Sequence, residues 1–159
     1  MNNLEQILKL INEKRAHLIA YESFTTSIIN SDLDAINDVL NQRESIIQSI
    51  NSIDQLTNEV IDQSNEKELI NAIFQHKIHM GEIPDKYISL YEGIESIVDS
   101  LENIHVLDTL IYSRIDQLKE EILMNIKQTN NVSKIQKYFD TYETELDSMN
   151  DLTSRAKKV

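Results

Sequence analysis

The chain has 159 residues, no cysteine, two glycines and one proline, and its 27 acidic and 15 basic residues leave a net charge of -12. A surface this negative repels phosphate backbones and anionic lipid headgroups, so nucleic acids and membrane surfaces are poor partners. Without cysteine there are no disulfides, and no apolar run approaches the ~20 residues needed to cross a bilayer. We expect one cytoplasmic domain over residues 1–159, with no secretory signal at its start.

Apolar residues recur at alternating steps of three and four residues along most of the chain, which is the spacing of one face of an α-helix. This pattern predicts an all-α protein, an elongated antiparallel helical bundle with long helices of the coiled-coil type. The first helical hairpin covers residues 3–63. Its turn is expected at Asn30 and Ser31, because short polar side chains suit a helix stop and the next cap. A connection this short makes the two helices antiparallel.

A short helix is predicted over residues 65–80. Asn65 and Glu68 have the spacing of a capping box, in which each side chain accepts a hydrogen bond from the backbone of the other residue. The segment 81–84, which contains a glycine and the single proline, is expected to end this helix.

A long helix is predicted over residues 85–128. Gly93 lies inside it, and it is interpreted either as the site of a bend or as a tolerated helix glycine. Two asparagines at positions 130 and 131 mark the last break in the pattern. A C-terminal helix over 133–157 then completes the bundle.

Four charged residues interrupt the apolar faces of the predicted helices: Lys14, Arg43, Asp54 and Asp108. Buried single polar residues in such a seam fix the register of neighbouring helices at some cost in stability. The alternative is that they lie at the edge of the seam and reach water along their stems. The apolar positions around them, which we expect to face the seam, are Ile36, Leu40, Ile47, Ile50, Ile61, Ile97, Leu101, Ile104, Ile111, Ile115, Leu118 and Ile122.

Candidate catalytic and metal-binding residues are few. His76, His79 and Glu82 could place three ligands at one helix end, but this spacing is common by chance and solvent-facing histidines are the simpler interpretation. Glu102 and His105 form a single Glu-x-x-His unit, whereas di-iron carboxylate bundles use two. Two glycines supply neither an oxyanion turn nor a phosphate-binding loop. We therefore predict that the protein is not an enzyme and uses no metal or cofactor.

The predicted C-terminal helix has an aromatic face. Three of the nine aromatic residues of the chain fall within five positions of it. Clustered aromatic rings are favoured at protein interfaces, and a helix near a terminus detaches at low cost. Packing in the core is the alternative. The candidate partner-binding residues are Ile135, Tyr138, Phe139, Tyr142, Leu146 and Met149.

Two parts of the sequence carry a family resemblance. Residues 31–36 (SDLDAI) and 40–47 (LNQRESII) resemble the start of the second helix in the flagellar export chaperones of the FlgN and FliT kind. Residues 118–122 (LKEEI) and 133–140 (SKIQKYFD) look like the closing region of those proteins. Together with the long first helix, these segments extend the resemblance over most of the chain.

The resemblance implies a small acidic cytoplasmic chaperone that holds the terminal helical segment of a hook-associated or filament-cap protein. It would deliver this client to the type III export gate, which a tyrosine of the C-terminal region contacts; Tyr138 and Tyr142 are the candidates. An amphipathic client helix would dock in an apolar groove. The alternative is a structural coiled-coil or adaptor protein that forms homo-oligomers, such as a homodimer, through the same apolar faces.

Overall fold

The computed structural model describes residues 1–128, 137, 139–147 and 149. No strand occurs among these residues, and the predicted all-α class with a helical bundle is confirmed. Residues 139–147 are helical. The other elements, in chain order, are α1 (Asn3–Ile28), α2 (Leu33–Asp62), α3 (Lys67–Phe74), two short 3-10 helices (Met80–Glu82 and Asp85–Tyr87) and α4 (Ile88–Gln128).

The chain divides into two compact units, Met1–Arg114 and Ile115–Val159. The first unit contains α1, α2, α3 and the beginning of α4, together with the buried core. The second unit contains the end of α4 and the helical residues 139–147.

The predicted hairpin over residues 3–63 is formed by α1 and α2. The cap of α2 differs from the prediction: Asp32 accepts a hydrogen bond from the backbone N–H of Ala35 at 2.9 Å. The hydroxyl of Ser31 instead donates to the carbonyl oxygen of Ser27 at 2.6 Å, at the end of α1. Asp, Asn and Ser are about equally good cap residues. The sequence pattern therefore could not decide which of these adjacent residues caps α2.

The helix predicted over 65–80 ends earlier, because α3 stops at Phe74. His76 adopts a left-handed backbone conformation with φ of 54°. The N–H of Lys77 then donates to the carbonyl of Ala72 at 2.9 Å, and the N–H of His76 donates to that of Ile73 at 3.1 Å. These two bonds form a Schellman motif, whose left-handed position is usually occupied by glycine. Because histidine occupies this position instead of glycine, the sequence gives no clear signal that the helix ends at Phe74.

The core of the first unit is built mainly from isoleucine. Ile70 and Ile73 of α3 are each 1% exposed, so this short helix is anchored by its apolar face. Burial of such a side chain stabilises the fold by roughly 1.5–3 kcal/mol. The remaining members of the core cluster are Ile7, Ile11, Leu18, Tyr21, Ile61, Ile83, Tyr87, Leu90, Ile94, Ile97 and Ile104.

Gly93 marks a close approach of α4 to α1. A Cβ atom at this position would lie 2.8 Å from Cγ2 of Ile11, which is closer than real Cβ contacts allow. Ile11 is buried and has little room to move. The glycine therefore serves packing between two helices, a role that differs from both sequence-based interpretations.

Candidate partner-binding surface

The four charged residues that interrupt the apolar faces pair with one another in the structure. Nζ of Lys14 in α1 donates to both carboxylate oxygens of Asp54 in α2, at 2.6 and 2.9 Å. The Arg43 side chain of α2 pairs with Asp108 of α4, with 2.6 Å between Nη2 and Oδ1. The charges therefore link neighbouring helices, as the first interpretation expected, but all four side chains remain partly exposed, as expected of residues at the edge of the seam.

Arg43 lies where α1, α2 and α4 meet. Its Nη2 group donates to Asp108 and also to the hydroxyl of Tyr21. Its guanidinium carbon is 4.4 Å from the centroid of the Tyr21 ring, and its side chain is only 11% exposed. The buried Nε group has no hydrogen-bond partner. The guanidinium group thus depends on Asp108 for its charge pairing.

Asp108 is the more accessible member of this pair. Its side chain is 34% exposed, and only its Oδ1 atom accepts the bond from Arg43. Within the described part of the chain, Oδ2 has no hydrogen-bond partner. One oxygen of this carboxylate is therefore available to a group from outside the chain.

Apolar side chains lie on both helices next to this ion pair. Leu40 and Ile47 are about one turn before and after Arg43 on α2, while Leu101 and Tyr112 are two turns before and one turn after Asp108 on α4. These four side chains are between 37% and 72% exposed. We call them the α2–α4 strip, and all four belong to the first unit.

The orientation of α2 and α4 brings the strip residues to matching levels. Lys14 pairs with Asp54 and Tyr21 bonds to Arg43, so α1 and α2 are antiparallel. Ile11 lies beside Gly93 and Tyr21 reaches the Arg43–Asp108 pair, so α1 and α4 run in the same direction. It follows that α2 and α4 are antiparallel. Leu40 and Tyr112 therefore lie on one side of the ion pair, and Ile47 and Leu101 lie on the other.

The exposure of the strip corrects the sequence-based expectation that these apolar faces are buried. Ile97, Ile104 and Ile111 of α4 are buried as expected, but Leu101 in the same pattern is 49% exposed. Periodicity shows which residues share a helix face, but it does not show how far a neighbouring helix covers that face. The sequence did not identify Tyr112 as a surface residue of interest, because it is not one of the periodic apolar positions of α4.

A second polar cluster joins the start of α3 to the start of α4. The carboxylate of Glu66 accepts hydrogen bonds from Nζ of Lys86 at 2.7 and 2.8 Å and from the hydroxyl of Tyr87 at 2.5 Å. The Lys86 and Tyr87 bonds lower the pKa of Glu66. Burial, followed by the bond to Glu66, raises the pKa of Tyr87.

The predicted capping box at Asn65 and Glu68 is wrong. The cap residue of α3 is Glu66, and its side chain makes no capping hydrogen bond to the helix backbone. The Glu66 carboxylate is held by Lys86 and Tyr87 instead. Because these groups satisfy one another, the cluster reads as a structural link rather than a ligand site.

The histidines considered as metal ligands do not form a metal site in the described part of the chain. Nδ1 of His76 is 3.0 Å from Oε1 of Glu95 in α4. Glu102 and His105 are exposed on α4. Among the described residues, no group of three or more His, Cys, Asp or Glu side chains could hold a metal ion. None of the described helices is long and apolar enough to cross a membrane.

The predicted C-terminal binding face is described in part. Ile135 and Tyr138 lie outside the described residues. Phe139 and Leu146 are half-buried, whereas Tyr142 and Met149 are 60% and 64% exposed. Of the two tyrosines considered for gate contact, the structure therefore describes Tyr142, which is accessible.

No protein-family model matches the chain, and neither a curated protein nor a solved structure matches it.

Proposed function

We propose that this protein is a flagellar export chaperone. It binds the terminal helical segment of a hook-associated or filament-cap protein and delivers this client to the type III export gate. The observation that carries the proposal is the α2–α4 strip, where large apolar side chains remain exposed at helical spacing on two neighbouring helices. The flagellar assignment is supported by the resemblance of residues 31–36 and 40–47, which are at the start of α2 and contribute Leu40 and Ile47 to the strip.

A helix is the partner that fits this surface. Anchors at three- and four-residue steps on an amphipathic helix form one apolar face, and the strip residues also share one face of each helix, since they are about two turns apart on α2 and about three turns apart on α4. The three aliphatic strip residues are already half covered or more and Tyr112 is 72% exposed, so complete burial would contribute about 1 kcal/mol apiece. A sum of about 4 kcal/mol would give at most millimolar affinity, because association also costs translational and rotational freedom. The strip is the proposed docking site of the client, and tighter binding requires polar contacts in addition.

The C-terminal helix is the proposed contact with the export gate. The resemblance implies this role for a tyrosine, and the exposure of Tyr142 supports it. An accessible aromatic ring buries a large area at low entropic cost when a partner covers it.

Calorimetric titration of the full-length protein with terminal segments of hook-associated and filament-cap proteins tests the proposal. Leu40→Ser and Leu101→Ser should weaken binding roughly tenfold, which corresponds to about 1.4 kcal/mol. Val106→Ser is the matched control, because Val106 is 61% exposed but lies two residues before Asp108 and so on a different face of α4. Circular dichroism should show that all three variants remain helical.

Two outcomes would contradict the proposal. If no terminal segment binds, the chaperone function is wrong. If the strip variants bind as well as the Val106→Ser control, the client docks elsewhere. A dimer that light scattering detects in the parent protein and that the strip variants abolish would favour the homo-oligomeric adaptor instead.

A further inference from the structure

We infer that the helix docking on the α2–α4 strip is cationic, and that it places a lysine or arginine from its apolar face against Oδ2 of Asp108. This inference deepens the proposed function and rests on it, since it specifies the chemistry of the segment that the chaperone accepts. It is carried by the position of a half-satisfied carboxylate between apolar side chains on the same two helix faces.

The geometry of Asp108 selects against a purely apolar client. Oδ1 accepts the hydrogen bond from Arg43, whereas Oδ2 has no hydrogen-bond partner in the described part of the chain, and the Asp108 side chain is 34% exposed. A helix that covered Leu101 and Tyr112 with apolar residues alone would remove water from this oxygen and replace it with nothing. Desolvation of a charged oxygen without a new hydrogen bond is unfavourable. A lysine or arginine at the same position restores the lost bond and adds charge attraction.

Arg43 does not already supply this cation for Oδ2. Its side chain is 11% exposed, and its Nη2 group is directed at Oδ1 and at the Tyr21 hydroxyl. The buried guanidinium is therefore held in the interior of the unit. A cation that binds Oδ2 therefore has to be a group other than Arg43.

The charges along both helices favour a basic partner over a second copy of this chain. Arg43 is the single basic residue of α2, which carries six acidic residues, and Arg114 is the single Lys or Arg of α4 within the first unit, where five acidic residues occur. A second copy would bring the same excess, with a net charge of -12 on each chain. Opposite charge accelerates association and like charge suppresses it. The acidic residues are Asp34, Asp38, Glu44, Asp54, Glu59 and Asp62 on α2, and Glu92, Glu95, Asp99, Glu102 and Asp108 on α4.

Designed helical peptides test the inference. Two fluorescein-labelled amphipathic peptides of about 18 residues carry leucines at three- and four-residue steps and the same basic polar face. One has lysine in the centre of the apolar face, and the other has norleucine there. Fluorescence anisotropy is measured with the full-length parent, with Asp108→Asn and with Asp99→Asn. Asp99 is a suitable control because it is exposed and lies nine residues, two and a half turns, from Asp108 on the opposite face of α4.

The parent should bind the lysine peptide about five- to tenfold more tightly than the norleucine peptide. Asp108→Asn should abolish this preference while keeping a carbonyl oxygen for Arg43, and Asp99→Asn should retain it. Equal affinity of the parent for the two peptides would overturn the inference, as would an equal loss in the two variants, which would indicate a diffuse field. Failure of both peptides to bind would overturn it as well.

The outcome is separable from that of the proposed function. Flagellar terminal segments that require Leu40 and Leu101 but show no dependence on Asp108 would leave the chaperone function standing and refute the cationic anchor. A lysine preference that depends on Asp108, without binding of any flagellar segment, would support the cationic anchor and refute the flagellar assignment.

Discussion

Replacement of Asp108 by leucine should destabilise the protein more than replacement of both members of the Arg43–Asp108 pair. Arg43 would keep its bond to Tyr21 but lose the carboxylate 2.6 Å away. Removing one member of a buried ion pair costs about 3–5 kcal/mol, because the other charge remains buried without compensation. Since Asp108 is 34% exposed, water can approach the site, and we expect about 2–3 kcal/mol.

The double variant Arg43→Met/Asp108→Leu should recover most of this loss. Apolar side chains of similar volume often replace a buried ion pair at no net cost. The coupling energy in a double-mutant cycle should therefore be about 1–2 kcal/mol. The matched control is the Lys14–Asp54 pair, changed to Lys14→Met/Asp54→Leu. Its carboxylate is more exposed, at 45%, so its coupling energy should stay below about 1 kcal/mol.

Urea denaturation followed by far-ultraviolet circular dichroism measures both cycles, provided that the denaturant slope is the same for all variants. A coupling energy near zero for Arg43 and Asp108 would refute the reasoning. So would equal coupling in the two cycles, because the difference in burial would then have no energetic consequence.

Three other predictions follow from local geometry. Gly93→Ala should lower the free energy of unfolding by up to about 2 kcal/mol, because contact with Ile11 outweighs the gain in helix propensity; a higher melting temperature would contradict this. His76→Gly should be more stable than His76→Ala by about 1 kcal/mol, since glycine adopts the left-handed conformation freely; equal melting temperatures would contradict the strain. Glu66 has a pKa lowered from 4.5, chiefly by Lys86, so its contribution is present above pH 4.5 and is lost as the pH falls below that value. Urea melts of the parent should therefore lose more stability on acidification than those of Glu66→Gln, and parallel losses would exclude this role.

The sequence predicted the long helices well, because their apolar residues are regularly spaced. The three- and four-residue spacing of isoleucine and leucine placed α1, α2 and α4, because each helix buries a face that its own sequence encodes. The sequence did not predict the two ends of α3 correctly. His76 occupies a position that usually belongs to glycine, and Glu66 is bound by residues 20 and 21 positions further along the chain.

The candidate surface shows the same division between local and tertiary information. By itself the sequence determined an all-α protein, an antiparallel hairpin and four charges set within apolar faces, since each of these follows from residues close together in the chain. Only the tertiary structure decided that Lys14 pairs with Asp54 and Arg43 with Asp108. It also decided that Leu101 stays exposed while Ile104 is buried. The physical reason is that periodicity belongs to one helix, whereas burial and charge pairing depend on which neighbouring helices reach it and how closely they approach.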